Sequence, residues 1–350
     1  MLRSALASGF RRAAIVMLAV CAALAVAPAA RAQGCTGDLN GDRVVTGADL
    51  GLLLGNWGHA GIGDIDGNGV VDGADLGALL GAWGACPPVV PSWATLVEAQ
   101  PDPAVVTDPA LRAAIAATGL AWRVRDTGTQ MEMMLIPPGT FQMGCIMGSN
   151  RYGCSSGELP VHQVTLTNAF YLGRYEVTQS QWVAKMGWNP SSFQGQWDSA
   201  SRPVESVSWN TIQGYLSATG LRLPTEAEWE YACRAGTQTP FYNGSRDDNT
   251  VGALAWYSAK ASHTHAVGGK AANGFGLYDM LGNVWEWVND WSGAYPSNAQ
   301  TNPTGPVSGP YRVVRGGSWQ NGSAYVCSSY RSYPPPYAYY TIGFRVARTP

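Results

Sequence analysis

Leu221-Arg-Leu-Pro-Thr-Glu-Ala-Glu-Trp-Glu-Tyr-Ala232 is the stretch from which the larger part of this chain is read. Thr225 as N-cap and Glu228 three residues on form a capping box, two side chains that satisfy each other's orphan backbone N–H groups. The acids Glu226, Glu228 and Glu230 therefore begin a helix, where they suit its dipole. That reading takes precedence over a catalytic carboxylate pair. Upstream the pattern changes to short strands and turns: Met131-Glu-Met-Met-Leu-Ile136, Gly139-Thr-Phe-Gln-Met-Gly144 and Val161-His-Gln-Val-Thr-Leu-Thr167. Modest strand content among many loops predicts an α+β fold.

The composition agrees. Charged residues are 13% of the 350, about half the usual share of roughly 25%, and 43 glycines argue against a highly helical chain. With 14 Trp, 16 Tyr and 46% hydrophobic residues, a sizeable core is available. The net charge of −2, without a Lys/Arg cluster, offers no footprint for nucleic acid, and none is expected as a partner.

Residues 1–32 read as a secretory signal peptide. Arg3, Arg11 and Arg12 precede an apolar run from Ala13 to Ala27, and Ala30-Arg31-Ala32 is a small-x-small cleavage site. The alternative is an uncleaved anchor. No second apolar stretch of about 18 residues occurs, so no membrane span is expected after processing. The expected location is secreted, periplasmic or at the cell surface. Cleavage removes Cys21 and leaves Cys35, Cys86, Cys145, Cys154, Cys233 and Cys327, an even set that reads as three disulfides; buried free thiols are the alternative.

A repeat follows. Gly37-Asp-Leu-Asn-Gly-Asp-Arg-Val-Val-Thr-Gly-Ala-Asp-Leu returns 26 residues later as Gly63-Asp-Ile-Asp-Gly-Asn-Gly-Val-Val-Asp-Gly-Ala-Asp-Leu. Side-chain oxygens fall at loop positions 1, 3, 5 and 12: Asp38, Asn40, Asp42 and Asp49, then Asp64, Asp66, Asn68 and Asp75. Hard oxygens at this spacing, with the carbonyls of Val44 and Val70 at position 7, suit an EF-hand calcium loop. The alternative is an Asp/Asn/Gly turn without metal. Arg43 stands at position 6, where glycine is favoured, so the first loop is expected to be the weaker site. Each loop leads into a short apolar helix, Leu50 to Trp57 and Leu76 to Trp83. Loop then helix, twice, with Asp at position 12, looks like a dockerin module. That resemblance, over residues 35–86, implies docking onto a cohesin-like partner. Cys35 and Cys86 bracket the module, and a bridge across their 51 residues would be worth roughly 4 kcal/mol. Cys145 and Cys154 lie close enough within one loop to form a second.

Pro87, Pro88, Pro91, Pro101 and Pro103 mark residues 89–121 as a semi-extended linker. One short helix is expected in it, with Asp108 as N-cap, Pro109 in the first turn and Gly119 at the end. The organisation read is a leader over 1–32, a calcium module over 33–88, this linker, and a large domain over 122–350.

In the large domain motifs arrive in order: Gly139-Thr-Phe-Gln-Met-Gly144, Tyr175-Glu-Val-Thr178, Pro203-Val-Glu-Ser-Val-Ser-Trp209, the stretch quoted first, Gly276-Leu-Tyr-Asp-Met-Leu-Gly-Asn-Val-Trp-Glu-Trp287, Arg315-Gly-Gly-Ser-Trp319 and Gly343-Phe-Arg345. The series is similar to the formylglycine-generating enzyme family, also called sulfatase-modifying factors. The resemblance implies a compact, C-type-lectin-like α+β fold, poor in regular secondary structure. It also implies a disulfide between Cys233 and Cys327, and calcium held by the Asp279 and Glu286 side chains with the carbonyls of Gly282 and Val284. Pairing of those acids with Arg315 or Arg345 is the alternative. Active members oxidise a substrate cysteine with copper(I) held by two cysteines, three and eight residues past the Ser of Gly-Gly-Ser. Soft thiolates select copper(I). Here those positions are Asn321 and Val326, so the resemblance implies the fold and withholds the oxidase chemistry, and copper is not expected.

His263 and His265 share one face if extended, without a third metal ligand nearby. Trp285, Trp287 and Tyr337 to Tyr340 read as packing before they read as a sugar platform. Neither a Gly-x-Ser-x-Gly elbow nor a phosphate-binding loop occurs. The function expected is a secreted, calcium-binding, non-oxidase protein that takes a peptide or small ligand in its large domain. The alternative is an active formylglycine-generating oxidase.

Overall fold

A computed structural model of the chain describes residues 35–146, 153–335, 337 and 339–350; the leader expected over 1–32 lies outside them. Strand β1 (Val44–Val45) leaves the first repeat loop, helices α1 (Gly47–Gly55) and α2 (Gly73–Gly81) follow the two loops, and β2 (Gly84–Ala85) returns to pair antiparallel with β1. Both helices start three residues before the apolar runs suggested. The reason is capping: Thr46 and Asp72 are N-caps, and Asp49 and Asp75 complete capping boxes from the third helical position. The position-12 acids thus lie inside the first turn. Val45, Leu53, Val71 and Leu79 form the small core. The two copies interlock, because Gly37 lies on α2 and Gly63 on α1. A Cβ at either glycine would stand 3.1 Å from the Cα of Leu79 or Leu53. The Cys35–Cys86 bridge closes the module, with Cα atoms 5.4 Å apart.

The segment expected as a spacer is instead part of the large domain. Strand β3 (Ala94–Glu98) pairs with β4 (Arg123–Asp126), and Val106 and Ile115 are buried in the main core. The prolines stiffen the path but leave Trp93 and the following strand free to add to a sheet edge, where missing N–H donors do little harm. Helix α3 (Pro109–Ala117) has the expected Asp108 cap and is followed by Gly119 at φ +69°.

The remaining strands in chain order are β5 (Glu132–Ile136), β6 (Gly139–Met143), β7 (His162–Leu166), β8 (Phe170–Gly173), β9 (Trp285–Trp291), β10 (Gln300–Thr301), β11 (Arg312–Arg315), β12 (Arg331–Ser332), β13 (Ile342–Gly343) and β14 (Ala347–Arg348). They make a five-stranded sheet in the order β14-β8-β5-β4-β3, a four-stranded sheet β12-β11-β9-β13 and a three-stranded sheet β10-β7-β6. Helices α4 (Gln179–Met186), α5 (Trp209–Thr219), α6 (Glu226–Arg234) and α7 (Val251–Leu254) pack around them, with Trp182 stacked on Tyr215 at 5.4 Å. Among the described residues no helix is long and apolar enough to cross a membrane.

Leu53→Ala removes one of four fully buried apolar side chains from the small module. Such truncations cost about 2–5 kcal/mol. Limited proteolysis should then cut within residues 35–86 while the large domain stays protected.

Candidate functional site

Helix α6 crosses the four-stranded sheet with its Trp229, Glu230, Cys233 and Arg234 side chains buried. Opposite it, β9 and β11 bring Glu286 and Arg315 into register. Glu230 accepts from Arg315, from Arg234 at 2.9 Å and from the Gly144 N–H at 2.9 Å. Burial alone would raise the Glu230 carboxyl, but Arg234 and Arg315 outweigh it and hold it below its ordinary value. Arg345 makes the companion pair, donating to both Glu286 oxygens at 2.7 and 2.6 Å, and Trp229 Nε1 donates to the same carboxylate at 2.6 Å.

This network bears on the calcium shell expected at Asp279, Gly282, Val284 and Glu286. The arginine pairing is the one Glu286 forms, so its oxygens face N–H donors. Asp279 differs. One oxygen accepts from the Gly268 N–H at 2.6 Å, and the buried Oδ1 has no hydrogen-bond partner among the described residues. Burial pushes its carboxyl up to about 6. Buried Glu176 beside it, which accepts from Asn283 and from the Val284 N–H, is raised well above the ordinary value by burial and by Asp279. Sequence reasoning missed Glu176. It lies more than a hundred residues from its partners, and only its place in Tyr175-Glu-Val-Thr178 marked it.

The Gly-Gly-Ser corner follows β11. Gly316 and Gly317 have φ +92° and +75°, and a Cβ on Gly317 would meet Val326 at 2.6 Å. Asn321 Oδ1 accepts from the Ser318 N–H at 3.0 Å and from its hydroxyl at 2.6 Å, while Val326 is fully buried. The third bridge does not form: Cys233 and Cys327 are buried free thiols. Cys233 Sγ points to the Ser328 hydroxyl at 3.5 Å and Cys327 Sγ to the Ser323 carbonyl at 3.5 Å, so the sulfurs have separate partners. Burial raises both, Cys233 to about 12. The bridge expected within the loop, Cys145–Cys154, is formed.

Beside this corner runs a row of half-exposed rings. Trp319 meets Tyr340 at 6.1 Å and Phe193 at 5.5 Å, Phe193 meets His263 at 6.3 Å, His263 stacks on His265 at 4.6 Å, and His265 stacks on Trp256 at 3.8 Å. Lys270 lies over the far Trp256 ring at 3.8 Å. The two histidines do share a face, but as stacked rings. By contrast Trp285 and Trp287 are core. The row is assembled from segments far apart in the chain, so no local period announces it.

In the repeat module the loop oxygens turn inward onto loop amides. Asp49 accepts from the Leu39, Asn40 and Thr46 N–H groups, and Asp75 likewise from Ile65, Asp66 and Asp72. Carboxylate oxygens of Asp64, Asp66 and Asp75 all lie within 4.8 Å of one another. That is twice a calcium–oxygen distance of about 2.4 Å, so one ion could touch all three. In the first loop Asp38, Asp42 and Asp49 make no such group, and Arg43 takes φ +69° at position 6 where the second loop has Gly69 at +94°.

Low-regularity α+β architecture, helix α6 laid on buried Arg–Glu pairs and the Gly-Gly-Ser corner define a class of domain. Residues 121–350 match the family described as Sulfatase-modifying factor enzyme 1-like domain, and the chain belongs to it. It is 30% identical over 281 residues to the formylglycine-generating enzyme of Mus musculus, covering 62% of this chain and 74% of that protein. Among solved structures, Treponema denticola variable protein 1 superposes with TM-score 0.57 and 30% identity over 63% of this chain and 95% of its own. PvdO from Pseudomonas aeruginosa gives 0.55 and 28% over 65% and 98%.

Two measurements check this geometry. Iodoacetamide at pH 8 should leave a native chain of residues 33–350 unlabelled and modify two thiols after unfolding without reductant; a Cys233–Cys327 bridge would yield none. The raised Asp279 carboxyl stabilises the fold fully only below its unfolded value of 3.8, and that stability is lost as pH rises through about 6. A tenfold change in proton affinity is worth about 1.4 kcal/mol. In chelator, calorimetric Tm should therefore fall between pH 4.5 and 7, and less steeply in Asp279→Asn.

Proposed function

We propose that the protein is an exported, calcium-binding member of this family without oxidase activity, which holds a peptide or small ligand along the ring row beside Ser318. The observation that carries the reading is the Ser318 corner. Asn321, in one expected copper-cysteine position, is committed to Ser318, and Val326, in the other, is sealed in the core. Oxygen activation by copper(I) needs soft ligands. The nearest thiol, Cys327, is buried and held protonated. Rings on one half-exposed face suit stacking against a flexible ligand, and Lys270 gives the row a cationic end.

In this reading the repeat is a dockerin-like module that attaches the protein to a cohesin-like partner. The Asp64–Asp75 loop is its stronger calcium site, supported by its three converging carboxylates. In the large domain the residues that could contribute to calcium binding narrow to Asp279 with the carbonyls of Gly282 and Val284. The second reading, an active formylglycine-generating oxidase, draws on the 30% identity to the mouse enzyme.

Two experiments separate them. The mature protein with a Cys-x-Pro-x-Arg peptide, copper(I), reductant and air should leave the peptide mass unchanged. A loss of about 18 Da, from CH₂SH to CHO, would establish the oxidase instead. Calcium titration should show two sites in the repeat, with Asp64→Ala abolishing the tighter; absence of binding heat attributable to the repeat would refute the module assignment.

A further inference from the structure

The loop between β9 and β11 forms one wall of a half-open cavity of about 340 Å³, whose other walls include Met143, His162, Glu226 and Arg331. It lies at the end of the ladder where Trp291 pairs with Arg312, opposite the Ser318 corner that follows Arg315. At about a third of the usual maximum for ligand pockets it suits a small occupant.

Most polar groups lining it are satisfied. Glu226 accepts from Arg331 at 2.7 Å and from the Tyr295 hydroxyl at 3.1 Å. Arg331 also donates to the Gly157 and Gly293 carbonyls, and the Asn302 amide bonds Thr167 through both its atoms. Arg331 Nε is buried without a partner among the described residues, and two acceptors are left as well. Asp290, 3% exposed, accepts the Glu226 N–H through Oδ2 at 2.9 Å, and its Oδ1 has no donor and no ion pair among the described residues. His162, 4% exposed, places Nδ1 3.2 Å from the Pro160 carbonyl. A carbonyl only accepts, so Nδ1 carries the hydrogen, and Nε2, which has no hydrogen-bond partner among the described residues, accepts when the ring carries that one proton. Two acceptors without protein donors, on side chains that are nearly buried, thus line one cavity. The occupant that satisfies both is rich in donors.

Charge decides between a neutral and a cationic donor. Asp290 is raised to about 7 by burial, then by Glu226 and Glu228. Arg331 and Arg312 act on Asp290 through space, but neither forms an ion pair with it: Arg331 pairs with Glu226, Arg222 with Glu228, and Arg312 lies between the Trp209 and Trp291 rings. We propose that this cavity binds a small molecule through a primary ammonium group, which donates to Asp290 Oδ1 and His162 Nε2.

The test titrates the full mature chain with ethanolamine and, separately, ethylene glycol, which keeps a hydroxyl and lacks the ammonium. Binding is followed by calorimetry and by the His162 ring signal in NMR. Ethanolamine should bind and shift that signal while ethylene glycol does neither. Because the ammonium favours ionised Asp290, binding below pH 7 should release a proton and weaken about tenfold per pH unit. Asp290→Asn keeps an acceptor for the Glu226 N–H and should lose at least tenfold in affinity. Thr304→Trp, at the exposed mouth, should block the cavity without touching either acceptor, and serves if the first variant does not fold. Equal responses to the two probes, no response to ethanolamine, or unchanged affinity in a folded Asp290→Asn would each overturn the proposal.

Discussion

Two guanidinium groups with no exposure to water, Arg315 and Arg345, fix the relation between helix α6 and the sheet beneath it. Each meets a buried carboxylate, Glu230 or Glu286, and donates to backbone carbonyls: Ser328, Ser329 and Tyr330 for Arg315, which leaves only its Nε without a partner among the described residues, and Gly173 and Tyr278 for Arg345. Stripping water from such ions is expensive, and the pairing repays it only when nearly every hydrogen has a partner. That condition constrains the fold. Four of these five carbonyls belong to segments with no regular secondary structure, so the arginines tie loops to the core. Removing one partner leaves an uncompensated buried charge, typically a loss of about 3–5 kcal/mol.

The same requirement shapes the corner at Ser318. Gly316 and Gly317 turn where β11 ends at Arg315, and the Gly316 carbonyl receives the Gly282 N–H. The corner is therefore positioned by the ion-pair core below it. Asn321 then caps Ser318 from above.

What the sequence made legible was local chemistry. Thr225 with Glu228 and Asp108 with Pro109 mark their helices because a cap is satisfied within four residues. The strands at 132–136, 139–143 and 162–166 likewise show in short runs. Long-range choices were not legible. Ala94 to Glu98 has the residues of a strand, yet five prolines around it read as a spacer until β4 supplied a neighbour. Cys233 and Cys327 count as a pair by family likeness, but the rotation of each side chain, which a sequence does not state, directs the sulfurs to different acceptors. The ring row draws Phe193, Trp256, His263, His265, Trp319 and Tyr340 from well-separated segments, and each ring alone looks like an ordinary packing residue. The same holds for Asp290, whose partnerless oxygen appears only once the loop of residues 292–311 is folded over it.

The repeat adds a coupling of a different kind. Asp at position 12 is short enough to cap its helix and to bond loop amides with the same carboxylate, so loop closure and helix initiation are one event. Backbone amides outweigh burial to hold Asp49 below its usual value, and the Asp72 amide leads the same effect at Asp75. The two copies diverge at position 6. Arg43 adopts the left-handed turn that Gly69 takes without strain, and its side chain donates to the Pro87 carbonyl and lies against Gly119, where a Cβ would sit 2.2 Å from the guanidinium. A long side chain at that position gives up loop geometry and gains a contact with the segment leading to the large domain. The first loop is thus shaped as a joint, and the second retains the converging acids that suit it to the proposed ion.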